Sequence, residues 1–404
     1  MTRPENIAMT ETRLWNRNFI AIAIANFLLF FSLYLLLPLL PLYLRDTFNA
    51  DKDTIGFILS GYVITALIIR PFGGFIVDSY PRKTVLLVTF ALFSIFFVGY
   101  IVADTVLVFA IIRCLHGFPF GIVTVANSTV AIDVMPPAKR GEGIGFYGVF
   151  NSLAMVIGPS VSMYMYEGGI PASYIFMTAL ISSAVGFGLN CTLRTRPRER
   201  VENKEPVSLD RFFLTRAIPE SLMVVFFSFA YGILVTYISI YGRDEVGIES
   251  GSGPFFSLLA VGLITARIIS APQVRKGLLT RNIGFGMTVA IAGFILFLTL
   301  RNSLGFYSAA LILGIGYGAM CPSFQTSFIN MAPNSRRGTA NSTYLTSWDL
   351  GVGAGLILGG SVAENLSYFH AYCLALAMAL IGITAYFSFI ARHYNSNKLL
   401  EGVS

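Results

Sequence analysis

Three ionisable residues lie inside long apolar runs, where charge is costly. Arg113 and His116 stand three residues apart in IIRCLHGFPFG (111–121), and Asp349 stands in TSWDLGVGAGLILGG (346–360). On a helix the first two share a face, and Thr124 and Asn127 continue that stripe. An imidazole changes charge near neutral pH. Desolvation favours the neutral form of a carboxyl group, so a deep aspartate suits the uptake and release of protons. An arginine in the same setting either bonds neighbouring carbonyls and fixes its helix, or lines a wet cleft and binds an anionic or polar group. The same choice applies to Asp349, which is either locked in a permanent pair or free to titrate.

These residues need apolar elements to carry them. The chain has 404 residues, of which 55% are hydrophobic and only 12% charged, with a mean hydropathy of +0.70. Folding alone cannot hide that much apolar surface from water, so an all-α polytopic membrane protein is predicted. A window of about 20 residues gives twelve helices, near 18–44, 54–77, 84–103, 105–134, 143–166, 173–193, 217–242, 254–272, 282–300, 304–332, 339–363 and 369–391. The polar first seventeen residues precede a run too long for a signal-peptide core, which is read as a retained first span. Cys114, Cys191, Cys321 and Cys373 fall in apolar segments without metal-ligand or disulfide spacing, and read as buried thiols. No phosphate-binding G-x4-G-K-[ST] segment is present.

The connecting segments alternate in charge. Arg82–Lys83, Lys139–Arg140, the run Arg194 to Arg216, Arg275–Lys276–Arg281, Arg336–Arg337 and both termini hold 21 of the 28 basic residues. The positive-inside rule therefore puts both termini in the cytoplasm of a multi-pass inner-membrane protein. The net charge of +7 is a topology signal, and no nucleic-acid partner is expected. The charged segment 194–216 reads as a cytoplasmic linker between an N-terminal bundle (1–193) and a C-terminal bundle (217–404). These halves look duplicated. VITALII (63–69) recurs as LITARII (263–269), and TVAIDVMPPAKRG (129–141) as TSFINMAPNSRRG (326–338), with Thr, Ile, Pro, Arg and Gly in register. Two related six-helix halves predict a pseudo-two-fold axis along the membrane normal, with a cleft between them near mid-bilayer.

With these features the chain resembles the major facilitator superfamily, and within it the twelve-span drug:proton antiporters and sugar-efflux permeases. GGFIVDSYPRK (73–83) is similar to the superfamily's G-x-L-A-D-R-x-G-R-K loop, with Gly74, Asp78, Arg82 and Lys83 in place and Ser79 and Pro81 departing. Its second-half counterpart, SAPQVRKGLLTR, lacks the aspartate. IIRCLHGFPFG is similar to the fourth-helix R-x-x-Q-G motif, with His116 where Gln is common. GFYGVFNSLAMVIGPSVSM matches the antiporter motif G-x8-G-x3-G-P-x2-G-G at Gly145, Gly158 and Pro159, but not at Ala154, Ser162 and Met163.

The resemblance implies secondary active transport by alternating access, with a small-molecule substrate and protons as partners, no cofactor, no metal and no catalytic residue. The reading favoured is proton-coupled efflux by antiport; the alternative is proton symport or facilitated uptake of a small metabolite or sugar. Proton coupling is assigned to Asp349 with His116 and Arg113, the latter two expected on the face of helix 4 that turns towards a wet cleft between the halves. Asn26, Tyr34, Asn127, Tyr231 and Trp348 are the cleft candidates. The resemblance also implies that Asp78 contacts the start of helix 11, and that Gly74, Asp78, Arg82, Lys83 and Asp133 form a conformational latch. Arg113 is expected about 12 Å from the outer end of its helix, and Asp349 about 15 Å from the inner end of its own. Gly351, Gly355 and Gly359, four residues apart, read as a helix-packing ridge. Glu220, just after Pro219, reads as a complement to its helix dipole. With three histidines apart in sequence, a membrane enzyme is not expected, and the chain is read as a monomer.

Overall fold

The computed structural model describes residues 13–50, 52–195, 211–248 and 253–399. Most of the predicted linker, 196–210, lies outside them. The described residues form α1 (Arg17–Phe48), α2 (Lys52–Ser79), α3 (Arg82–Val102), α4 (Val106–Val134), α5 (Arg140–Glu167), α6 (Ala172–Cys191), α7 (Ile218–Asp244), α8 (Gly253–Arg275), α9 (Leu279–Thr299), α10 (Ser303–Asn330), α11 (Arg337–Asn365) and α12 (Tyr368–Ala385). The last helix continues through a π turn, Tyr386–Ile390, into a final helical segment, Ala391–Asn397. The twelve predicted helices are therefore all present, and no strand occurs among the described residues.

Eleven of these helices are long and apolar enough to cross a bilayer. The exception is α11, whose first half holds Thr339, Asn341, Ser342, Thr343 and Ser347, all buried. Two of its hydroxyls bond within the helix: Thr343 donates to the Thr339 carbonyl, and Ser347 to that of Thr343, each at 2.8 Å. A helix buried in protein can be this polar because it does not face lipid. Elsewhere Ile64, Ile68, Ile95, Leu107, Ile181 and Ile381 stand exposed on the outer faces, as lipid-facing residues do.

By contact the chain divides into two units. One takes the described residues of Met1–Lys139 and Phe150–Phe212, the other Arg140–Val149 and those of Phe213–Ser404. In the first unit α4 packs on α2 and α3, and α6 on α1 and α3; in the second, α10 packs on α8 and α9, and α12 on α7 and α9. The repeats at 129 and 326 fix an offset of 197 residues. At that offset α3 and α9 coincide end to end, each 21 residues long. The N-cap of α4, Thr105, falls on that of α10, Asn302, and both side chains accept from the backbone N–H three residues on.

Glycine sets the spacing of the equivalent seams. A Cβ on Gly117 would lie 2.4 Å from the Tyr62 carbonyl, and one on Gly121 2.7 Å from that of Ala66. Gly314 and Gly318, the same positions in the second unit, meet the carbonyls of Leu259 at 2.2 Å and Leu263 at 2.5 Å. Small residues let membrane helices approach backbone to backbone. The predicted ridge on α11 behaves likewise: Gly351 abuts Val225, Gly355 abuts Phe229 and Gly359 abuts Ile233, all on α7.

Candidate functional site

The α2–α4 seam brings Tyr62 over Arg113. The guanidinium carbon sits 3.9 Å from the centre of that ring, and Nη1 donates to the Tyr100 hydroxyl at 3.3 Å. The same hydroxyl lies 2.8 Å from His116 Nδ1. Tyr100 thus accepts from Arg113 and shares a second hydrogen bond with the imidazole, in which either the hydroxyl or Nδ1–H can be the donor. Arg113 and His116 are thus brought together, as their spacing predicts. The expectation that they face water is not met: Arg113 is 1% exposed and His116 fully enclosed. Helix α3 supplies the cover, with Phe93, Phe96 and Phe97 around the imidazole at ring distances of 4.6–5.2 Å. The ring face of Tyr62 attracts the cation, and no carboxylate pairs with it among the described residues. Tyr100 also walls a cavity of about 430 Å³ bounded by Tyr43, Thr47, Tyr166, Ser173 and Phe176.

Lower on α4, Asn127 is fully buried and donates to Asn26 Oδ1 at 3.2 Å, while Asn190 of α6 donates to Asn127 Oδ1 at 3.3 Å. Two cleft candidates are therefore joined in a three-asparagine chain that ties α1, α4 and α6 together. Tyr34 is half-buried and stacks on Phe30; its Cβ lies against Gly158, where a Cβ would come within 2.7 Å. That explains a glycine at this motif position.

The latch candidates meet at the other end of α4. Arg82 donates from Nη1 to both oxygens of Asp133, at 2.8 and 2.7 Å, and from Nη2 to Asp78 at 2.8 Å. One guanidinium thereby joins α2, α3 and α4, with Arg82 and Asp78 both under 10% exposed. Hydrogen bonds between ionised partners are stronger than neutral ones. Lys83 donates to the carbonyls of Cys191 and Leu193, at 3.1 and 2.7 Å, capping the negative end of α6. Gly74 lies on α2 above the clamp, and Cys191 is exposed where a buried thiol is predicted.

In the second unit Asp349 is half-buried, twelve residues into the 29-residue α11 and so close to its midpoint. Beside it Trp348 packs on Tyr231 at 5.4 Å, and both meet Tyr317 of α10, which donates to the Phe227 carbonyl at 2.8 Å. Glu220, 2% exposed in the first turn of α7, contacts His393 Nδ1 at 2.9 Å. Among the described residues no group of three or more His, Cys, Asp or Glu could hold a metal ion.

Sequence reading missed Tyr62, Tyr100, Asn190, Tyr317 and the partner of Glu220. The tyrosines sit in uniformly apolar helices, where a phenolic ring reads as packing. The Asn190 and His393 contacts span 63 and 173 residues, beyond any local pattern.

Comparison with known proteins agrees with this architecture. The family model described as Major Facilitator Superfamily matches residues 22–356 and 283–402. The quinolone resistance protein NorA of Staphylococcus aureus (strain COL) is 21% identical over 369 residues, covering 88% of this chain and 92% of NorA. The multidrug resistance protein MdtG of Enterobacter lignolyticus (strain SCF1) is 25% identical over 401 residues, covering 95% and 94%. Among solved structures, the human organic anion transporter MFSD10 (TETRAN) superposes with a TM-score of 0.80 at 16% identity, over 92% of this chain and 99% of that one. FucP, a superfamily transporter in the outward conformation, gives 0.74 at 14% identity, over 92% and 98%. With the family model spanning most of its length, the chain belongs to the Major Facilitator Superfamily and is a multi-pass membrane transporter of small molecules, not an enzyme.

Proposed function

We propose that the chain exports a small organic molecule in exchange for protons, as a monomer in the cytoplasmic membrane, with both termini inside and Asp349 as the coupling carboxylate. The observation that carries this reading is the half-buried acid at the midpoint of α11, beside a Trp348–Tyr231–Tyr317 aromatic wall. A deep acid can trade a proton for a substrate because desolvation makes its charge depend on what else fills the site. The aromatic wall suits a flat, apolar face of a solute, and the names of NorA, a quinolone resistance protein, and MdtG, a multidrug resistance protein, support drug export. The charge asymmetry of the loops supports the orientation. Arg113 and His116 serve as the electrostatic element of the first unit, and Asn26, Asn127 and Tyr34 as its polar contacts. Arg82, with Asp78, Asp133, Lys83 and Gly74, works as the inner latch.

The test uses proteoliposomes and a fluorescent quinolone. An inward-acid gradient is expected to drive quinolone accumulation, and reversing the gradient to abolish it. Accumulation under an inward-alkaline gradient would mean symport, and gradient-independent equilibration would mean facilitated diffusion. Asp349→Asn is expected to lose gradient-driven accumulation by tenfold or more, roughly 1.4 kcal/mol of coupling, while exchange of internal for external quinolone continues. Unchanged accumulation in that variant would remove Asp349 from the coupling step.

A further inference from the structure

The inner end of the second unit holds a carboxylate and an imidazole that transport by Asp349 does not use. Glu220 Oε1 lies 2.9 Å from His393 Nδ1, and Glu220 Oε2 is buried without a hydrogen-bond partner. His393 rides on the segment after the π turn Tyr386–Ile390, three residues past its end. Such turns inside a helix recur at functional sites. Residues of the turn and beyond it reach other helices. Asn330 of α10 receives the segment twice, donating to the Tyr394 hydroxyl at 3.2 Å and accepting from Leu399 N–H at 2.9 Å. Tyr386 donates to the Thr280 carbonyl of α9 at 2.9 Å.

The titratable groups facing Glu220 are His393, Tyr386 and Tyr394, all from this segment. What α9 and α10 offer there is uncharged, a carbonyl and an asparagine. Arg392 and Lys398 on the same segment are exposed. The only cationic charge available to Glu220 among these groups is therefore a protonated His393.

We propose that Glu220 and His393 together form a proton-binding site, and that the proton it holds keeps the C-terminal segment docked on α7. With one proton shared, the pair is neutral, whether as imidazolium–carboxylate or as imidazole–carboxylic acid. Without it, a net negative charge remains in a position 2% exposed, with one oxygen unsatisfied. Desolvated charge of that kind is costly, and undocking the segment relieves it by letting water in. The docked state holds more protons than the undocked one, so docking weakens as pH rises. The device needs no substrate and does not depend on how Asp349 works.

The experiment is a nitroxide label at Asn395→Cys, an exposed position, in the full chain with the four native cysteines replaced and Asp349 intact. The mobile fraction of its spectrum is followed from about pH 5 to pH 8, where an imidazole changes charge. In the wild type the docked-to-mobile ratio is expected to fall with pH, approaching a roughly tenfold change per unit for release of one proton. Glu220→Gln is expected to stay docked across the range. His393→Gln, which leaves Glu220 to take the proton alone, is expected to be more mobile than the wild type at every pH, and the double variant docked throughout. A wild-type ratio that does not move with pH overturns the proposal. So does a pH dependence that survives Glu220→Gln, which on its own decides the matter if the His393 variant does not fold.

Discussion

Helices α4 and α10 are the same part built twice, and they differ where it matters for charge. At the offset of 197 residues, Gly117 and Gly121 fall on Gly314 and Gly318, and all four press against carbonyls of the neighbouring helix. Phe109 falls on Phe306, and both rings pack on the third helix of their unit, against Tyr100 at 5.0 Å and Phe297 at 5.8 Å. The backbone seam and the aromatic plug are thus common property. The polar triad is not. Tyr100, Arg113 and His116 correspond to Phe297, Ala310 and Leu313, each buried and apolar. The second unit shows that this scaffold packs without a cation. The first unit's cation is therefore an addition to the fold rather than a requirement of it.

The shared part should be the most sensitive to change. Gly117→Val and Gly314→Val each force a side chain into a carbonyl that lies within 2.5 Å of the nearest Cβ position. Overpacking of this kind costs about 3 kcal/mol or is not accommodated at all. Both variants are expected to lose most folded protein, measured by thermal unfolding in detergent. Gly188→Ala, with nothing within 4 Å, is expected to leave the melting temperature unchanged. If only one of the two valine variants were harmful, the two seams would not be equivalent.

The unshared part should behave in the opposite way. A triple variant, Tyr100→Phe, Arg113→Met and His116→Leu, gives the first unit the apolar character of the second. Replacing a buried charge by apolar groups of similar volume is commonly neutral or stabilising, here by about 1–2 kcal/mol. The variant is expected to melt at or above the wild-type temperature, yet to lose tenfold or more of its transport activity in proteoliposomes. Full transport with unchanged stability would reduce the triad to packing.

What the sequence makes legible follows from which forces are local. Hydropathy over about 20 residues reports on lipid, so all twelve helices are found. Even α11, too polar to span by hydropathy alone, is marked by the apolar run that surrounds Gly351, Gly355 and Gly359. The glycine ridge is legible because period four is a property of one helix. Duplication is legible because two stretches repeat. The environment of Arg113 is not, since a polar stripe fixes which residues share a face and says nothing of the helix that covers it. Three phenylalanines of α3 turn a face expected to be wet into an enclosed one. Glu220 shows the same limit: its position in the first turn of α7 is enough to suggest a dipole role, while His393 comes from the far end of the chain.

The finest comparison isolates one oxygen. Tyr100→Phe copies Phe297 and removes only the hydroxyl that joins Arg113 to His116. Side-chain hydrogen bonds inside membrane proteins average about 0.6 kcal/mol, and this one serves two partners, so a loss of about 1 kcal/mol is expected. Tyr317→Phe in the second unit removes a single bond to a carbonyl and should cost about half as much. Chemical unfolding of the two variants against wild type measures both. The decisive contrast lies in function rather than stability. Tyr100→Phe removes the hydrogen bond to His116 Nδ1, so it should change the pH profile of transport, whereas Tyr317→Phe should lower its rate, if at all, without changing its shape. Identical pH profiles for the two variants would show that the hydroxyl holds His116 in place and does nothing more.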